Sequence, residues 1–136
     1  MMDLQLNNQN DTLPELFTHE IEGWKHTMEM VMEENSFLKN KLGNLLKMAS
    51  NDPEFLGNAE YFQNKFIKQD ETIAFLRKDI EEQIRALVPI KLADSNNRTN
   101  IIRTQQQLRT DMESTETDFN NLLFEFNNFL ALTLTK

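Results

Sequence analysis

The chain has 136 residues, of which 39% are hydrophobic, with three Gly, three Pro and no Cys. This length fills one elongated core but not two, the shortage of Gly and Pro excludes the many turns of an all-β fold, and missing Cys excludes disulfides, thiolate metal sites and Cys nucleophiles. A formal net charge of −8 disfavours nucleic acid and anionic lipid, which both bind through a surplus of Lys and Arg.

Residues 1–11 are rich in Asn and Gln with isolated Leu, a composition that cannot bury enough to order itself, and they are predicted to be a flexible N-terminal arm. Thr12 fits an N-cap, with Pro14 in the first turn and Glu15 placed to reach back to it, so a first helix is predicted over residues 13–49. Its Ile21, Trp24, Met28, Val31, Asn35, Leu38, Leu42 and Leu45 step by three and four residues, the a/d seam of a helix that buries one stripe. Asp52 as cap and Pro53 at the first helical position open a second helix, predicted over 53–88. The seam there reads Ala59, Phe62, Phe66, Gln69, Ile73, Leu76, Ile80, Gln83 and Leu87. Pro89 disfavours helical backbone at Val88, and a loop is expected from Ile90 to Ala93. Asp94 or Ser95 caps a third helix, predicted over 95–133, with the seam Ile101, Gln105, Leu108, Met112, Thr115, Phe119, Leu122, Phe126 and Phe129. Its opposite face is amide: Gln106, Gln107, Asn120, Asn121, Asn127 and Asn128.

Helices of this length each span about 50 Å, and short connections make sequential neighbours antiparallel. The predicted fold class is therefore all-α: an antiparallel up-down-up three-helix bundle with coiled-coil-like heptad packing, residues 12–136 forming its single domain. In outline this resembles the spectrin-type three-helix module, a likeness of shape that implies no function. Folding the helices about their connections places Asn35, Gln69 and Thr115 in one polar core layer, where amides and a hydroxyl are expected to satisfy one another and fix the register. Phe55, Phe62, Phe66, Phe119, Phe126 and Phe129 are expected to gather at the end of the first turn, together with Leu42, Leu45, Leu46 and Met48.

Groups suited to chemistry are few. His19, Glu22 and His26 have metal-like spacing, but with Ile21 at a the histidines fall at f and Glu22 at b, all facing solvent, so no metal is expected there. A ferritin-like di-metal site needs inward Glu-x-x-His pairs, which neither histidine supplies. Glu33-Glu34 and Glu81-Glu82 are paired carboxylates on solvated faces, where nothing desolvates one member to raise its pKa. There is neither a Gly-rich phosphate loop nor a nucleophile elbow, so no enzyme activity and no cofactor are expected.

The apolar residues off the seam are the more informative ones. Leu16, Met30 and Phe37 share the c column of the first helix, and Tyr61 and Phe75 the c column of the second, with Ile67 beside them and Phe124 isolated on the third. Either they widen the core or they form a face for a second copy or a protein partner. Acids outnumber bases in every third of the chain, by 6 to 4 over residues 14–50, 8 to 5 over 51–90 and 6 to 5 over 91–136, so no basic face is hidden for nucleic acid or membrane. No secretory signal and no long apolar run are visible, which predicts a cytoplasmic location. The expected function is a structural or protein-interaction module, an adaptor or assembly subunit; the alternative is a helical bundle that binds a small molecule or metal.

Overall fold

The computed structural model describes residues 11–48 and 51–135. Among them the chain is all-helical, with no strand: α1 (Leu13–Lys47), α2 (Pro53–Ala86), a short α3 (Pro89–Ala93) and α4 (Ser95–Leu134). The predicted arm lies outside the described residues except for Asp11, whose carboxylate accepts from both Arg98 guanidinium nitrogens at 3.0 and 3.1 Å.

Every seam residue read from the periodicity is buried, apart from Leu87, which is half-buried at the end of α2. The helix ends follow local chemistry. Asp52 accepts from the Glu54 N–H, with Pro53 filling the first helical position. Asp94, not Ser95, caps α4, accepting from the N–H groups of Asn96 and Asn97 at 2.9 and 3.1 Å. Thr12 occupies the cap position of α1 but makes no side-chain cap bond; the neighbouring Asp11 carboxylate accepts from the Leu13 N–H instead. Where a loop was expected, Pro89 opens the single turn of α3: Val88 stays extended, as a residue before Pro prefers, and Leu92 is buried.

The long helices meet pairwise, and α3 lies against α4. Between α1 and α2 the numbering runs in opposite senses: Lys25 pairs with Glu81 at 3.5 Å, Arg77 reaches the Met32 sulfur, and Lys39 pairs with Asp70. The same holds between α2 and α4, where Phe55 stacks on Phe129, Phe62 meets Phe126 edge-on at 5.2 Å, and Gln83 bonds Gln105. Between α1 and α4 the numbering runs in the same sense, from Asp11–Arg98 to Glu20–Arg109.

The core is unequal along its length. Phe66 and Phe126 are wholly buried and stand edge-to-face at 5.1 Å, with Phe62 and Phe129 closing the cluster. Met48, expected among them, is 74% exposed because it follows the last turn of α1.

Candidate functional site

Asn35, Gln69 and Thr115 are all buried, but no hydrogen bond joins them. The Asn35 amide donates at 3.0 Å to the Phe66 carbonyl and at 2.7 Å to Asp70, a charged residue one place beside the seam that also pairs with Lys39. Thr115 turns back to donate to the Asp111 carbonyl of its own helix at 2.8 Å. An ionised carboxylate such as that of Asp70 is a stronger acceptor than a neutral amide oxygen. Among the described residues, Oδ1 of Asn35 and Nε2 of Gln69 are buried without a hydrogen-bond partner.

A second polar cluster is fully connected and ties three helices together. Gln83 of α2 donates to the Ile101 carbonyl and to Gln105 Oε1, at 2.9 and 3.0 Å. Gln105 of α4, wholly buried, donates in turn to Glu20 and to the Phe17 carbonyl of α1. Arg109 completes it with two bonds to Glu20 at 2.7 and 2.8 Å. The guanidinium of Arg109 holds the Glu20 carboxyl below its ordinary value against an opposing desolvation, the Gln105 amide assisting, and Arg109 is raised in return. Periodicity marked Gln83 and Gln105 as seam positions. The signal it left unused was the opposite charge of Glu20 and Arg109 at flanking positions of α1 and α4.

The off-seam apolar residues all lie open: Leu16, Met30, Phe37, Tyr61 and Phe75 are between 45% and 70% exposed. They do not form one face. Leu16, Met30 and Phe37 run along the flank of α1 next to Glu20, the residue that meets α4. Tyr61 borders the groove between α2 and α4, where its hydroxyl donates to Glu125 at 3.0 Å. That bond lifts the phenol above its usual value. Phe75 lies two heptads along the same column. Lys41 and Lys65 stand over the Phe37 and Tyr61 rings at 5.1 and 5.4 Å. Also exposed are Ile67 and Phe124, together with Met48, Leu56, Ile90, Leu132 and Leu134, which the heptad reading did not single out as surface residues.

His19, Glu22 and His26 are exposed, and among the described residues no group of three or more His, Asp or Glu is gathered to hold a metal ion. No described helix is long and apolar enough to cross a membrane. At the end of the first turn a cleft of about 580 Å³ opens between Leu45, Phe55, Phe129 and Leu132. Comparison with family models, curated proteins and solved structures gives no match to this chain.

Proposed function

We propose that the chain is a non-enzymatic interaction module of the cytoplasm: an antiparallel up-down-up three-helix bundle with coiled-coil-like packing, presenting long helical faces to a protein partner or a second copy. The opposed numbering of the α1–α2 and α2–α4 contacts supports the topology, with α3 as a turn inside the second connection. The observation that carries the function is the contrast between a closed seam and five open apolar side chains on two rigid columns. Side chains of this size left in water on ordered helices are surplus to the core and suit burial against another surface. The evenly spread acidity argues against nucleic acid and anionic membrane as partners, and the absence of Cys suits a reducing compartment.

The test is enrichment of the tagged chain from its native cell extract, wild type beside Met30→Glu/Phe37→Glu. A protein retained by wild type and lost by the variant, with helicity unchanged, is the expected result. Recovery of the bait alone from both would end the interaction reading. A second reading, a bundle that binds a small apolar molecule, is favoured by the cleft at Leu45, Phe55 and Phe129. Saturable binding of an apolar dye, abolished by Phe55→Glu, would support it.

A further inference from the structure

The groove between α2 and α4 has a more definite character than the flank of α1. Tyr61 and Phe75 stand on one column of α2, fourteen residues and so about 21 Å apart, at 45% and 70% exposure. Lys68 and Glu82 continue that column, the first lining a cleft of about 300 Å³ and the second a cleft of about 470 Å³. Phe75 lines neither hollow, but on this column it stands one heptad from Lys68 of the first and one heptad from Glu82 of the second.

The charges in these hollows differ. Around Tyr61 they balance, Lys65 and Lys68 facing Asp118 and Glu125. Beyond Phe75 they do not: Asp79 and Glu82 of α2 join Asp111 of α4 against Lys91 alone. Gln69 lines the first hollow, and its buried Nε2 has no acceptor among the described residues. Both walls are helices, and no strand edge is present among the described residues to pair with an extended peptide. An occupant that satisfies its own backbone bonds is a helix, laid along the groove as an added member of the bundle.

We propose that the α2–α4 groove receives an amphipathic helix from a different protein, its apolar side chains seated over Tyr61 and Phe75 and its basic end over Asp79, Glu82 and Asp111. This rests on the interaction reading above and gives the α2 column a partner chemistry of its own, separate from the α1 flank that Met30 and Phe37 test. Two copies of a chain carrying −8 repel one another, so the acidic hollow is complementary to a basic partner rather than to this chain.

The probe is a synthetic helix of about 21 residues, Leu at its a and d positions and Lys elsewhere. It is titrated into the 15N-labelled full chain and followed by amide shifts. Its controls are a Leu/Glu counterpart and a Ser/Lys peptide of equal charge. Shifts confined to α2 and α4, with Kd raised about tenfold or more by Tyr61→Ala/Phe75→Ala and unchanged by Met30→Glu/Phe37→Glu, are expected. Both substituted pairs are exposed, so helicity should be retained. Equal binding of the Ser/Lys peptide would reduce the effect to bulk charge and overturn the proposal, as would shifts centred on α1. A dimer of the chain alone that Phe75→Ala dissolves would assign the groove to a second copy and overturn it too. If the probe misses the groove while Met30→Glu/Phe37→Glu still loses a partner from extract, the groove assignment falls and the interaction reading stands.

Discussion

Gln69 places an amide donor in the core where no described residue accepts from it, and a buried donor without a partner costs about 1–3 kcal/mol. Gln69→Leu, close in volume and apolar, is therefore expected to stabilise the chain by roughly 1 kcal/mol in urea melts. A lower midpoint would mean that the amide is satisfied in solution. Asn35 differs in the balance: its Oδ1 is also unpartnered, but its Nδ2 donates to both the Phe66 carbonyl and Asp70, so Asn35→Leu is expected to destabilise. Acid should act on Glu20 and Asp11, which Arg109 and Arg98 hold below their ordinary values of 4.5 and 3.8. In that window the unfolded chain binds protons that the folded chain refuses, so stability is complete above the ordinary values and is lost as pH falls through the depressed ones. The wild-type melting temperature should drop there, and less steeply in Glu20→Gln. Parallel curves would show that the pairing has no weight, the usual outcome for a solvated ion pair.

At the scale of elements, Phe126 touches Phe62, Phe66 and Phe129, whereas Ile101 sits at the opposite end of the α2–α4 contact beside Gln83. Phe126→Ala removes the centre of an aromatic cluster, about 3–5 kcal/mol, and should lower the melting temperature more than Ile101→Ala. Equal effects would contradict the unequal core. The three long helices were legible because their seams step by three and four without a slip, and the starts of α2 and α4 because Asp52 and Asp94 are strong cap residues. α3 was not legible, since a single turn has no periodicity to read and Pro89 signals a break as readily as a start. The bonds of the polar layer were missed because Asp70 reaches in from beside the seam, which a seam-to-seam alignment does not consider. The Asp11 cap was missed for a related reason: its hold on Arg98, far along the chain, keeps it in place to accept from Leu13.

In the whole molecule the three long helices meet pairwise, and two apolar columns are left over. Which residues those are could be read from the heptads; that they border different grooves could not, because it depends on which flank of each helix meets α4. The most direct test of closure within one chain uses the α1–α2 ion pairs. Unlabelled and 15N-labelled chains are mixed in denaturant, refolded together and treated with a carbodiimide, which joins paired amines and carboxylates. Closure within one chain predicts Lys25–Glu81 and Lys39–Asp70 links within chains of one label only. Links at the same residues joining labelled to unlabelled chains would show that α1 pairs with α2 of another copy, and would contradict a bundle closed within one chain.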